Sequence, residues 1–168
     1  MRPVQGTYPP FLETYISKAI EDNIFAALKA NTQLLEAFLK SIPRDKGDYA
    51  YAPGKWTIKQ LILHISDAER IFSYRALRFG RGDAQQVLPF EENDYAKNSN
   101  ADKRTLASVI EELLAVRKAT TLLFESFSEE TLSLKGNTKM GEVSVNTIGF
   151  AICGHAAHHV GVAKERYL

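Results

Sequence analysis

Apolar residues recur at steps of three and four along four long stretches of the chain, which is the spacing of amphipathic helices. The stretches run from about Asn23 to Ser41, from Ile58 to Phe79, from Asp102 to Phe127, and from Ser144 or Asn146 to Arg166. The segments between them are polar or contain Gly and Pro, and no long alternating strand pattern occurs. Four amphipathic helices without a convincing sheet predict an all-α four-helix bundle.

The connections between these helices are about 15–20 residues long, which is more than a simple up-down bundle needs. The connection LKGNTKMGEVS could include a short hairpin, and PFEENDY could form a short turn. The second helix has the clearest start signal, because Thr57 and Gln60 have the spacing of a capping box. We expect the long connections either to carry functional residues or to cover one end of the bundle.

Composition narrows the class without naming an activity. The 168 residues are 45% hydrophobic and 24% charged, as in one globular domain spanning residues 1–168. A net charge of +1 disfavours nucleic-acid binding. The one cysteine cannot form an intramolecular disulfide, and no apolar stretch approaches the roughly 20 residues of a membrane span. We therefore expect a cytoplasmic protein with no membrane or nucleic-acid partner.

All four histidines lie in two of the predicted helices, and three of them lie on the apolar face of their helix. His155 and His159 are one turn apart and only about 40° apart around the fourth helix. Their neighbours along the same stripe are Ile148, Ile152 and Val162. His64 continues the apolar stripe of the second helix. Two facing helices could therefore bring these three imidazoles together.

Three neutral imidazoles that converge from helices commonly hold a divalent transition metal such as zinc or nickel. Three protein ligands leave a coordination position for water or a small-molecule substrate, as in catalytic sites. The alternative is that the histidines are hydrogen-bonded packing residues of the core. The sequence favours the metal site at His64, His155 and His159, because three of only four histidines occupy these positions.

Other polar residues near this face have two interpretations each. His158 could be an alternative ligand, a group that orients a ligand, or a surface residue. Asp67, three residues after His64, could orient an imidazole or act as a base, or could be a solvated helix acid. The end of the second helix could contact an anionic substrate or simply cover a surface, through Tyr74, Arg75 and Arg78.

Several other enzyme classes find no support in the sequence. Glu-x-x-His and His-Glu-x-x-His do not occur, so neither a carboxylate-bridged di-iron bundle nor the usual zinc-protease helix is predicted. Cys153 lies about 200° from His155 around the helix, which favours a small core residue over a nucleophile. Gly149 and Gly154 in the same helix would permit close approach of another element.

Three segments together resemble the DinB-like (damage-inducible protein B) superfamily. They are GKWTIKQLILHISDAERIFSYRALRFGRGD, LPFEENDYA and GHAAHHVGVAKERYL. The resemblance implies an up-up-down-down four-helix bundle, commonly a homodimer, with a metal held by three histidines. By motif these ligands fall on His64, His155 and His159, the same residues that the helical spacing selects.

The resemblance implies several activities and selects none of them. Relatives include thiol S-transferases that use low-molecular-weight thiols such as bacillithiol or mycothiol, and a maleylpyruvate isomerase with a thiol cofactor. Others are described as metal-dependent hydrolases. We therefore expect a metal-dependent enzyme such as a thiol S-transferase acting on a small electrophile. The alternatives are a metal-dependent hydrolase and a non-catalytic metal-binding dimeric bundle.

Overall fold

The four predicted long helices are present, and each begins at a side chain that caps its first turn. In the computed structural model, which describes residues 1–83 and 85–168, Thr57 and Gln60 form the predicted capping box. Asn23, Thr105 and Ser144 each accept a hydrogen bond from a backbone N–H in the first turn. The helices are α1 (Glu13–Ile16), α2 (Ile24–Ser41), α3 (Ile58–Gly80), α4 (Glu92–Lys97), α5 (Leu106–Glu125), α6 (Glu129–Ser133) and α7 (Val145–Arg166).

The connections contain short elements of their own. The predicted hairpin is confirmed as two antiparallel strands, β1 (Lys135–Thr138) and β2 (Gly141–Ser144), and PFEENDY leads into α4. Single 3-10 turns lie at Pro10–Leu12, Arg44–Lys46 and Ala101–Lys103. The long connections are therefore folded segments that pack on the bundle.

The predicted start of α5 at Asp102 is wrong by four residues. Asp102 lies in a separate 3-10 turn, and Arg104 has an extended backbone with φ −117° and ψ 150°. The helix then starts after Thr105, whose side chain accepts a hydrogen bond from the backbone N–H of Ser108. The N-cap Thr105, and not the acidic residue Asp102, therefore determines where α5 begins.

The four long helices form a ring in which α3 packs against α5 and α7, and α2 packs against the same two helices. Contacts between α3 and α5 advance in the same direction along both helices: Lys59 binds the carbonyl of Arg104 near their starts, and Ser73 meets Thr120 further along. These two helices are therefore parallel.

Helix α7 runs antiparallel to α3 and parallel to α2. His64 near the start of α3 contacts His159 near the end of α7. Ile24 at the start of α2 lies against Gly149 near the start of α7, and Asn31 further along α2 binds the carbonyl of Cys153 further along α7. The four-helix bundle is confirmed, but its directions are up, down, down, up, instead of the up-up-down-down order implied by the resemblance. The physical reason is that residues 85–105 return to the start of α3, where Gln60 donates a hydrogen bond to the carbonyl of Ala96, so that α5 begins beside the start of α3.

Two glycines of α7 permit the close approaches expected from the sequence. A Cβ on Gly149 would lie 2.6 Å from the side chain of Ile24 in α2. A Cβ on Gly154 would overlap the backbone carbonyl of Tyr15 in α1. The short helix α1 is therefore pressed directly against α7, beside His155.

The length and hydropathy of the helices also bear on membrane insertion. Among the described residues, none of the helices combines the length and the apolar character required to cross a bilayer.

Candidate metal centre

Three histidine side chains meet between α3 and α7. The Nε2 atom of His64 lies 3.0 Å from that of His155 and 3.1 Å from that of His159. The Nε2 atoms of His155 and His159 are also 3.1 Å apart. The structure thus brings together the three residues selected by the helical spacing, with one ring nitrogen of each at a common point.

Hydrogen bonds between the rings cannot satisfy this arrangement. Each Nε2 of a neutral imidazole is either a donor or an acceptor, so two of the three atoms must be of the same kind. At least one of the three close contacts therefore joins two donors or two acceptors. A cation bound by three nitrogen lone pairs would remove this conflict, because every ring could then carry its proton on Nδ1.

The three rings are also in the charge state that metal binding requires. Burial lowers the pKa of His64 to about 4. Burial and the neighbouring histidines lower the pKa of His159 to about 3 and hold that of His155 well below 6.5. The site is therefore neutral near pH 7, and protons would not compete with a metal ion there.

The spacing of the nitrogens is compatible with a transition-metal ion. The three nitrogens lie 3.0–3.1 Å apart, close enough for one ion to contact all three at the roughly 2.0–2.1 Å length of a metal–imidazole bond. The donor set of three imidazoles suits zinc and nickel equally, so it does not select between them.

Aromatic rings surround the triad. The ring of Trp56 lies 4.7 Å from that of His64, and the rings of Tyr15 and Phe72 lie 5.3 Å and 5.9 Å from that of His155. The Nδ1 atom of His64 is buried and has no hydrogen-bond partner in the described part of the chain. An apolar shell of this kind limits the access of water to the three nitrogens.

A cavity of about 510 Å³ opens beside the three histidines. Helices α1, α3 and α7, the segment 87–92 and the hairpin β1–β2 all contribute to its wall. Most of its lining is apolar, and its aromatic members are Phe11, Tyr15, Trp56, Phe72 and Phe90. This volume is in the range of small-molecule sites.

The other residues singled out from the sequence have different positions. His158 is half-buried, with its ring 5.0 Å from that of His159, but it does not belong to the triad. Asp67 does not line the cavity; it pairs with Arg70, and burial raises the pKa of its carboxyl group. Cys153 is fully buried, which raises the pKa of its thiol to about 12.

The three candidate substrate-contacting residues at the end of α3 differ in their surroundings. Tyr74 is exposed, and Arg78 forms an ion pair with Asp83. Arg75 lines the cavity. Of these three candidates, Arg75 alone is therefore placed to contact a molecule bound in the cavity.

Several residues of the cavity wall were not identified from the sequence. Tyr15 lies in the short helix α1, Phe90 and Met140 lie in connections, and long-range packing brings all three to the cavity beside the histidines. The available signal was the presence of large apolar residues in segments that otherwise look like polar loops. Those residues indicate packing, but not which part of the bundle they cover.

A buried polar network ties the helices that carry the histidines. The guanidinium of Arg117 in α5 donates to both carboxylate oxygens of Glu69 in α3, at 2.8 Å and 2.7 Å. It also donates to Asn31 of α2, whose amide donates to the backbone carbonyl of Cys153 in α7. All four long helices are thus joined close to the turn that carries His155.

The fold and site define a helical-bundle protein with a histidine triad in the wall of a mostly apolar cavity. The chain belongs to the DinB superfamily, because the sequence model of that family matches residues 27–163 of this chain. The match excludes the first 26 residues, so Tyr15 and the rest of α1 lie outside it.

Solved structures share the fold. YfiT from Bacillus subtilis, described as a probable metal-dependent hydrolase with an unusual four-helix bundle topology, superposes with a TM-score of 0.73 at 13% identity. The match covers 98% of this chain and 90% of YfiT. A mycothiol-dependent maleylpyruvate isomerase superposes with a TM-score of 0.65, also at 13% identity, over 86% of this chain and 59% of the isomerase.

A relative is also found by sequence. A protein of Geobacillus thermodenitrificans (strain NG80-2), named as a candidate metal-dependent hydrolase, is 32% identical over 108 residues. These residues are 62% of this chain and 58% of the relative. The match therefore spans less than two thirds of the length of the relative.

Proposed function

We propose that this protein is a metal-dependent enzyme that joins a low-molecular-weight thiol to a small electrophile. His64, His155 and His159 would hold a divalent transition metal, zinc or nickel. The observation that carries the proposal is the triangle of Nε2 atoms 3.0–3.1 Å apart, from three histidines that line the cavity. The names of the relatives, which refer to metal-dependent or thiol-dependent enzymes, support the same class.

The ion would supply a Lewis acid that lowers the pKa of a thiol or of water. The histidines would fix its position, since their neutral rings are held between two packed helices. The aromatic wall would exclude bulk water and hold the apolar part of the electrophile.

The reacting thiol would come from a cosubstrate. Cys153 is buried with a raised thiol pKa, so the chain offers no reactive thiol of its own. In the reaction, the sulfur of the cosubstrate forms a bond to the electrophilic carbon. The bond from that carbon to the leaving group breaks, the leaving group departs with the electron pair, and the thiol proton passes to solvent.

Hydrolysis is the second candidate, because two relatives are described as metal-dependent hydrolases. Water would then take the place of the thiol. Among the residues that line the cavity, Glu92 provides the one carboxylate that could accept a proton from this water. Asp67, the base candidate from the sequence, does not line the cavity.

Turnover with and without a thiol separates the two candidates. Zinc-loaded and nickel-loaded protein would be mixed with 1-chloro-2,4-dinitrobenzene and either bacillithiol, mycothiol or cysteine, and the thioether would be measured by mass spectrometry. The hydrolase assay would use 4-nitrophenyl acetate without a thiol. We expect thioether formation that is lost after EDTA treatment and in His159→Ala, but kept in the matched variant His158→Ala. Thiol-independent release of 4-nitrophenol alone would replace the transferase with the hydrolase.

The homodimer, the single domain and the cytoplasmic location stay predictions. The oligomeric state can be measured by size-exclusion chromatography with light scattering. A mass close to twice 18.8 kDa would support the dimer.

A further inference from the structure

Three charged side chains line the cavity: Arg75, Glu92 and Lys139. Glu92 and Lys139 are exposed to solvent, whereas Arg75 is half-buried. Burial lowers the pKa of Arg75 below its ordinary value, but a guanidinium stays charged at neutral pH. The cavity therefore contains one partly desolvated positive charge.

This charge has no acidic partner among the residues that the structure describes. The Nη2 atom of Arg75 donates a hydrogen bond to the backbone carbonyl of Leu88 at 2.7 Å. No carboxylate lies within 4 Å of its guanidinium in the described part of the chain, whereas Arg70 and Arg78 of the same helix each form an ion pair. One of the five N–H groups of Arg75 is thus used, and the fork retains donors for another acceptor.

Arg75 lies within reach of a molecule bound at the triad. Its guanidinium carbon is 5.6 Å from the ring of Phe72, and that ring is 5.9 Å from the ring of His155. The guanidinium carbon is therefore at most about 11.5 Å from the ring centroid of His155, and both groups lie beside the ring of Phe72. A small molecule with an apolar body could span this distance.

We infer that Arg75 binds a carboxylate of the substrate, and that the cavity takes small apolar molecules with one acidic end. This inference rests on the proposed function, because it takes the cavity as the substrate site. The planar fork of arginine matches the two oxygens of a carboxylate. One half-buried cation balances one negative charge, so a carboxylate is favoured over a doubly charged phosphate.

Binding can be measured without turnover, because the chain contains one tryptophan and Trp56 lines the cavity. Quenching of its fluorescence would be titrated with 3-phenylpropionate and with the uncharged analogue 3-phenylpropanamide. We expect the acid to bind about tenfold more tightly than the amide, the contribution of one charge-assisted pair of hydrogen bonds. Arg75→Met should abolish this preference, and Arg75→Lys should restore part of it.

Arg78→Met is the matched control, since Arg78 lies on the same helix but outside the cavity lining. It should keep the tenfold preference. Far-UV circular dichroism and a thermal melt would show that each variant is folded. Equal affinity of wild type for acid and amide, no saturable quenching by either compound, or an unchanged preference in Arg75→Met would overturn the inference.

The same titration in EDTA-treated protein and in His159→Ala separates this inference from the proposed function. If the preference for the acid persists there and still depends on Arg75, the anion site stands even if the protein never turns over a substrate. If the preference disappears with the metal, the carboxylate binds the ion instead of Arg75, and the inference fails.

Discussion

Replacement of Arg117 by methionine tests the network that joins the four helices. The side chain of Arg117 is 1% exposed, and its guanidinium makes two hydrogen bonds to Glu69 and one to Asn31. Methionine keeps most of the length of the side chain but removes the charge and all three donors. The carboxylate of Glu69, which is 2% exposed, would then remain buried beside an apolar side chain.

The expected loss is large because a buried charge would lose its partner. Removing one member of a buried ion pair costs about 3–5 kcal/mol of folding free energy. Replacing both members by apolar residues of similar volume is much less costly, and is often close to neutral. We therefore expect Arg117→Met to lower the free energy of unfolding by about 3–5 kcal/mol, and the double variant Arg117→Met with Glu69→Leu to recover most of it.

Urea unfolding followed by far-UV circular dichroism, with EDTA present, measures both variants against wild type. Metal-free conditions keep ion binding out of the comparison. A loss below about 1 kcal/mol for Arg117→Met would refute the reasoning, since it would mean that the charge of Glu69 is solvated or displaced. A double variant as unstable as the single one would also refute it, because packing would then be the cause.

Three further predictions concern the helices and the triad. Gly154→Ala should lower the free energy of unfolding, measured in urea, by about 1–3 kcal/mol, because the new Cβ would overlap the backbone carbonyl of Tyr15. The matched variant Gly161→Ala has free space around the new Cβ and should raise the free energy of unfolding by up to about 1 kcal/mol. Thr57→Ala should cost about 1 kcal/mol by the same assay, since it removes the side-chain acceptor of the capping box. The free energy of unfolding of the EDTA-treated protein should rise as the pH is raised from 4 to 6.5. In that range His64 binds a proton in the unfolded chain but not in the folded protein, where its pKa is about 4. A melting temperature that does not change over that pH range would contradict this prediction.

The histidine triad could be predicted from the sequence because helical periodicity is local. Steps of three and four fix which side chains share a face, so His155 and His159 had to lie together. The pairing with His64 followed once the apolar stripes were assumed to face each other. The capping box of Thr57 and Gln60 likewise fixed the start of the second long helix at Ile58.

The cavity and the helix directions could not be predicted in this way, because they depend on contacts between distant segments. Arg75 and Arg78 were both candidates for contact with an anionic substrate. The packed structure distinguishes them, because Arg75 lines the cavity whereas Arg78 forms an ion pair with Asp83. Tyr15 reaches the triad because Gly154 allows α1 to pack against α7, a contact with no local signal. The parallel arrangement of α3 and α5 depends on the path of residues 85–105, which return to the start of α3.

The metal content of protein purified without a histidine tag tests the central claim most directly. Inductively coupled plasma mass spectrometry would count zinc and nickel per chain in wild type, His64→Ala, His159→Ala and the control His158→Ala. The account predicts about one ion per chain in wild type and in the control, and a loss in the other two variants. Less than roughly 0.2 ions per chain in wild type after incubation with either metal, or a content unchanged by His64→Ala and His159→Ala, would contradict it.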